Sequence, residues 1–412
     1  MKRIAVIGAG PAGMLAAAYA KTDKTSVDLF DRNEKAGKKL YLTGKGRCNI
    51  TNTADKEDFF RNIPRNPRFL YSAFDSFFND DIVELIESQG VKTKVERGGR
   101  VFPESDKSSD VIKALLSFLQ KRGVRLILNT RIRSVAADES GFVIVSFGGE
   151  EKHYDSVILA TGGRSYPSTG STGDGYAFAE AFGHTVTKIS PSLISLIAEE
   201  KWPGELAGLS LKNVTLKAVK DNKTVYSELG EMLFTHSGVS GPLVLSASAR
   251  IADDPVGTRL YIDLKPALDQ QTLDARILRD LAANAHKQLK NALIGLMPSR
   301  LLPVVLHFSG VDPEKTTDNF SKAERRSLIS FMKAMPLTVS GTSPIDEAII
   351  TRGGVSVKEI DPKTMESKLV NGLFFAGEII DVDAYTGGFN LQIAYSTGVA
   401  AGKAAAKKYE EV

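Results

Sequence analysis

Cysteine occurs once in 412 residues, at Cys48. A single thiol forms no intramolecular disulfide, which excludes a disulfide-stapled secreted scaffold and a CxxC thiol relay, and it fits a reducing cytoplasm. The five histidines (His153, His184, His236, His286 and His307) are scattered with no HxxH or Cys/His spacing. No metal site is expected from them. No apolar run approaches the ~20 residues needed to span a bilayer, so no membrane partner is expected. An excess of one charge is missing too: 53 Lys and Arg face 49 Asp and Glu, interspersed, for a net +4. That balance leaves no basic footprint and points away from nucleic acid.

What remains is an ordinary globular composition, 42% hydrophobic and 25% charged, with 36 glycines gathered in clusters. The start of the chain imitates a secretory signal, since Met1-Lys2-Arg3 precedes an apolar stretch ending Ala18-Tyr19-Ala20. Three glycines and a proline at fixed offsets, and a strand pattern that resumes at Ser26, point to a folded unit instead.

Residues 3–7 read as a buried strand, 11–21 as a helix of small residues, and 26–31 as a second strand, a βαβ unit of about thirty residues. Helical periodicity follows over 67–90 and 108–122, with a strand, turn and strand between them, a short strand at 125–130, and an alternating meander over 131–159. This order predicts an α/β fold: a Rossmann-like domain built from both chain ends, residues 1–190 and 341–412. A β-rich insert over 191–267, the expected substrate lobe, and a small helical insert over 268–340 interrupt it.

Gly8-Ala9-Gly10-Pro11-Ala12-Gly13 is a GxGxxG placed after a strand and opening a helix, and Asp31 follows Gly8 by 23 residues. Gly8 permits the tight turn, Gly10 lets backbone approach a pyrophosphate, and Gly13 lets the helix pack close. The helix N-terminus favours the anion, and Asp31 is expected to accept from an adenosine ribose. An acid at that position, followed by Arg32, gives no signature for NADP. Further glycine clusters occur at 160–163 (including Thr161, Gly162 and Gly163), 169–176 and 376–392, none of them a second GxGxxG. One dinucleotide site, several loops able to wrap a larger cofactor, and no cysteine pair fit FAD better than a nicotinamide dehydrogenase or a flavin disulfide reductase.

"GKKLYLTGKGRCNITN" (37–52), "ILATGGRSYPSTGSTGDGYAFAEAFGH" (158–184), "THSGVSGPLVLSAS" (235–248) and "TRGGVSVKEIDPKTMESKLVNGLFFAGEIIDVDAYTGGFNLQIAYSTG" (351–398), with GAGPAG, resemble the BaiN-like family of bacterial FAD-dependent oxidoreductases, which includes aminoacetone oxidases. The resemblance runs from Ile4 to Gly402. It implies an FAD domain carrying a β-rich and a helical insert. It implies that Lys39, Thr43, Gly44, Gly46, Arg47, Cys48 and Asn49 line the flavin site, with Arg47 offering a planar fork for phosphate and Cys48 filling a tight space rather than cycling redox states. Gly377-Glu378 resembles a pair that holds the ribityl chain, with Asp381 a second acid. Gly388, Phe389, Asn390 and Gln392 would open the last helix against the flavin ring, and the backbone of Ile132 would meet adenine. His236 and Tyr385 are weaker candidates at the substrate and the flavin face. No general acid or base is assigned.

These readings imply hydride transfer between a small organic substrate and flavin, with NAD(P)H as a transient co-substrate or O₂ as the electron acceptor of an amine oxidase. An RNA-modifying flavoprotein and a non-catalytic flavin sensor are the alternatives from other classes. Nothing in the sequence speaks to oligomeric state.

Overall fold

The computed structural model describes residues 1–409. Two compact units emerge, Met1–Ser192 with Pro344–Val412, and Leu193–Ser343.

The first unit is organised on a five-stranded parallel sheet. In chain order its strands are β1 (Lys2–Ile7), β2 (Thr25–Phe30), β3 (Arg125–Ile127), β4 (Ser156–Leu159) and β5 (Leu373–Phe375), arranged β5-β4-β1-β2-β3. Ile4, Ala5, Val6, Val157, Ile158 and Phe374 have no exposed surface. Such unbroken apolar runs belong to strands covered on both faces, as a parallel sheet requires. β5 comes from the far end of the chain and pairs in register with β4, Val157 opposite Leu373. The antiparallel meander Ile132–Asp138, Gly141–Ser146 and Glu151–Tyr154 leads into β4.

Three helices matter most for the site: α1 (Pro11–Ala20), α2 (Ser108–Arg122) and α3 (Phe389–Lys407). α2 stops at Gly123, whose φ of 75° is the left-handed value glycine tolerates at a helix end. α1 and α3 are small-residue helices that touch backbone to backbone. A Cβ on Gly398 would lie 2.3 Å from the Ala12 carbonyl oxygen, and one on Gly402 would lie 2.4 Å from that of Ala16. Bulkier residues there would push the last helix off the first.

The second unit is a closed six-stranded antiparallel barrel with helices attached. Around the barrel run Leu196–Ala198, Gly238–Ser240, Lys223–Phe234, Ser210–Lys220, Arg259–Asp263 and Met335–Thr342. The helices Gln270–Ala283, Leu289–Ala292, Leu301–Phe308 and Lys322–Lys333 lie in sequence between the last two of these strands. The two consecutive inserts drawn from the sequence therefore form one unit here: the strand that closes the barrel follows the helices, and Leu216, Ile262, Leu273, Leu328 and Leu337 share one apolar core. Among the described residues no helix is long and apolar enough to cross a membrane.

Gly402→Val is expected to cost about 1–3 kcal/mol through overpacking against Ala16. Gly295→Ala, where an added Cβ meets nothing within 4 Å, should be neutral. Urea unfolding of the two variants checks this, and equal midpoints would refute the close-approach account.

Candidate dinucleotide site

The site is built where β1, β2, β4 and β5 end. Gly8 has a φ of 106°, and a Cβ there would lie 2.4 Å from the Ala160 carbonyl oxygen just past β4. A Cβ on Gly13 would sit 1.8 Å from the Gly8 carbonyl oxygen. Gly10 differs: its φ is an ordinary −78°, and a Cβ would meet no protein atom within 4 Å. The turn is thus pressed against the sheet at Gly8 and Gly13 and open at Gly10. Pro11 occupies the first turn of α1, which has no side-chain cap and no acidic residue, so its N-terminal dipole is unneutralised. An anionic pyrophosphate fits that open face.

Asp31 braces this loop. Its Oδ2 accepts from the Ala9 amide and its Oδ1 from the Asn33 amide and Asn33 Nδ2, at 2.8, 2.8 and 2.9 Å. Of the roughly four acceptor positions of a carboxylate, about one remains for a ribose hydroxyl. Ile132 begins the neighbouring strand and is buried, while the Thr130 amide donates to the Asp31 carbonyl.

Several charged residues expected to reach the cofactor are instead paired within the protein. Arg47 donates to Glu96 at 2.8 Å and to Asp106 at 3.2 Å and stacks on Phe102, 4.1 Å from its ring centre. Arg32 binds Thr172 and Asp174. Lys39 and Glu378 form an ion pair at 2.7 Å, joined by the Ser165 hydroxyl and the Thr351 amide. This knot ties four segments together beside Gly163, where a Cβ would strike Thr351 and Glu378. Asp381 holds the Arg65 guanidinium on both oxygens.

The last helix begins at Gly388, whose φ is 101° and where a Cβ would lie 2.4 Å from the Thr51 carbonyl oxygen. It too has no side-chain cap and no acid in its first turn. Asn390 folds back onto the Ala384 amide and carbonyl, and Gln392, fully buried, accepts from Thr51. Both tie the loop before α3 to the rest of the unit. Phe389 packs edge-on against Phe59. The Gly377 amide donates to Thr397, and a Cβ on Gly377 would crowd Ala12.

In the Gly44–Asn49 loop, Gly44, Gly46 and Cys48 have positive φ, and the Cys48 amide and the Thr43 hydroxyl close local turns. The Cys48 side chain is fully buried, and burial pushes its thiol up to about 12 despite a hydrogen bond with Thr43. A thiol so held stays protonated and is no nucleophile at neutral pH. Asn49 Oδ1 and Thr161 Oγ1 are buried without a hydrogen-bond partner, the state expected of groups completed by a bound molecule. These orphaned atoms, the open face of Gly10 and the two bare helix N-termini fit an anionic dinucleotide. Gly162, at φ 75°, carries the chain past β4 beside Ser171.

His236 lies in the barrel unit with its carbonyl against Gly204. Tyr385 is buried, and its amide donates to Asn62. Asp383 was missed by sequence reasoning. Its environment is a buried carboxyl raised to about 6, chiefly by burial, and the only sequence signal for it was the repeated acid in Asp381-Val382-Asp383. No group of His, Cys, Asp and Glu among the described residues could hold a metal ion.

The family model described as the HI0933-like protein Rossmann domain matches residues 2–404. The chain is 32% identical to a 3-dehydro-bile acid delta(4,6)-reductase of Clostridium scindens over 99% of its own length and 100% of that protein's. It is 32% identical to a ribosomal RNA dihydrouridine synthase of Haemophilus influenzae, over 96% of each chain. The fold is similar to that of 3-ketosteroid-delta4-(5alpha)-dehydrogenase from Rhodococcus jostii RHA1, with a TM-score of 0.50, 15% identity, and 98% and 97% of the two chains covered.

Two outcomes test this geometry. Gly10→Val, for which the protein itself has room, should fold with an unchanged melting temperature yet bind no FAD by fluorescence titration; retention of stoichiometric flavin would refute the pyrophosphate role. Native protein at pH 8 should alkylate Cys48 with iodoacetamide on the order of 10³-fold more slowly than urea-unfolded protein, and equal rates by mass spectrometry would contradict the buried thiol.

Proposed function

Because the chain belongs to the HI0933-like Rossmann-domain family and is an oxidoreductase by its kinship with a reductase along its whole length, we propose that it uses FAD to reduce a carbon–carbon double bond conjugated to a carbonyl. NAD(P)H is the electron source in this reading. The observation that carries it is the open, dipole-lined face at Gly10 in a chain whose relatives are named for such reductions. A 3-oxo-diene and a uracil ring share that chemistry, although one is a small lipid and the other part of a polynucleotide.

When bound, FAD supplies the hydride. The chain's own part is to bind and orient. The N-termini of α1 and α3 would attract the negative pyrophosphate and the electron-rich edge of the ring, Asn49 Oδ1 offers a hydrogen-bond acceptor, and the Lys39–Glu378 knot ties together segments that follow β4 and β5.

The near balance of 53 basic and 49 acidic residues favours a small conjugated ketone as substrate. RNA is the second reading, favoured by the ribosomal RNA dihydrouridine synthases among the relatives, so the charge balance alone no longer excludes a nucleic-acid partner. Amine oxidation has no support among these reductase and synthase names.

Anaerobic NADPH or NADH should bleach the flavin absorbance of the holoprotein, and a 3-oxo-4,6-diene steroid should restore it. Restoration only by a uridine-containing transcript would establish the RNA reading. Bleaching by an amine alone, with O₂ consumed on re-aeration, would overturn both.

A further inference from the structure

Asp383 is 1% exposed and lies in the loop between Glu378 and the start of α3. Its Oδ2 accepts from the Ser192 hydroxyl at 3.0 Å, and its Oδ1 is the one buried carboxylate oxygen without a hydrogen-bond partner among the described residues. Leaving such an atom unpaired is costly, and folded proteins seldom do so unless a bound molecule completes it.

The neighbouring acid does not share this property. Asp381, two residues earlier, is saturated by Arg65, and Asn66 donates to its carbonyl at 2.7 Å. The charged groups that reach Asp383 are Arg352 on the strand Ile350–Arg352, Arg65 from the segment bridged to it, and Asp381 on its own loop. Burial, the strongest influence, and Asp381 favour the neutral carboxyl; the two guanidiniums and the Ser192 hydroxyl favour the carboxylate. Burial prevails and the group exchanges its proton near pH 6. Tyr176 and Tyr395 also carry unpaired hydroxyls, but burial pushes both phenols far above their usual value. The readily exchanged proton therefore belongs to the carboxyl.

We propose that Oδ1 of Asp383 holds the proton that the double bond receives together with the hydride, an inference that rests on the reductase reading. One carbon gains the hydride from reduced FAD, and the other gains the proton from the carboxyl. The π bond, the carboxyl O–H bond and the bond that would carry the hydride on reduced FAD break, a C–H bond forms at each carbon, FAD would be left oxidised, and the carboxylate recovers a proton from water. Asp383 lies on the same loop that leads to Gly388 at the head of α3.

The test uses holoprotein reduced chemically without O₂ and mixed with a 3-oxo-4,6-diene steroid, or with a uridine-containing transcript, across pH 4.5–8. Wild-type reoxidation should fall about tenfold per pH unit above pH 6. Asp383→Asn should be at least ~10²-fold slower at pH 5.5 and lose that inflection. Ser192→Ala, which removes a donor to the ionised form, should keep the low-pH rate and move the inflection upward. An Asp383→Asn rate within threefold of wild type, or an inflection unmoved in Ser192→Ala, would overturn the proposal.

A readout free of turnover accompanies it. The folded value lies above the ordinary ~3.9 of an aspartate, so this group's stabilisation is full below ~3.9 and is lost as pH rises through about 6. The melting temperature of Asp383→Asn should therefore gain several degrees relative to wild type between pH 4.5 and 7.5, and parallel curves would overturn the proton site. A wild-type holoprotein inert to both substrates, with curves that diverge as expected, would instead overturn the reductase reading.

Discussion

Close backbone approach around the first glycine turn is the constraint on which the first unit depends. Gly8 lies against Ala160 after β4, Gly13 against the Gly8 carbonyl, Gly377 and Gly398 against Ala12, and Gly388 against Thr51. All but the Gly13–Gly8 contact join a segment from the start of the chain to one from its middle or end. A single methyl group at most of these points would fall inside 2.8 Å of another atom, so the convergence exists only because those side chains are missing. Glycine loses much chain entropy on folding. The buried central strands of the sheet and the α1–α3 contact offset that loss through apolar burial.

The same economy of side chains determines the electrostatics. Both helices that end at the cradle are preceded by glycine, neither is capped by a side chain, and neither has an acid in its first turn. Their amide dipoles are consequently free to act on an anion. The cations nearby act differently: Arg32, Lys39, Arg47 and Arg65 are all bound to carboxylates of the chain. The ion pairs thus hold the loops that surround the two uncapped helix N-termini. Arg47 illustrates the point, since its pairing with Glu96 and Asp106 anchors the Gly44–Asn49 loop from behind.

Much of this architecture was legible in the residues. The apolar runs of β1 and β4, the small residues of α1 and α3, and Gly123 at the end of α2 each report their own burial or termination, because those features depend on local pattern. The dinucleotide turn was legible for the same reason. Closure of the barrel was not: Met335–Thr342 follows four helices, and alternation alone does not reveal which distant strand it will meet. Nor does sequence reveal the partners of long polar side chains, such as Glu96 for Arg47, the Ala384 backbone for Asn390 and Thr51 for Gln392. Asp383 was obscured by Asp381, which shares its strand-like phase two residues away and differs in receiving both hydrogen bonds of the Arg65 guanidinium.

Asp381 and Asp383 also show how one short loop separates structural from chemical roles. Two acids of the same type, both buried, receive opposite treatment. One is neutralised by a bidentate guanidinium and fixes the loop; the other is desolvated, bonded at one oxygen only, and left able to exchange a proton. The first makes the second possible, because a loop not tied to Arg65 could swing Asp383 toward water and return it to ordinary acidity. Every residue in this chain of dependence belongs to the unit that also carries the glycine cradle. That unit carries both the glycine turn open at Gly10 and the carboxyl bonded at one oxygen only.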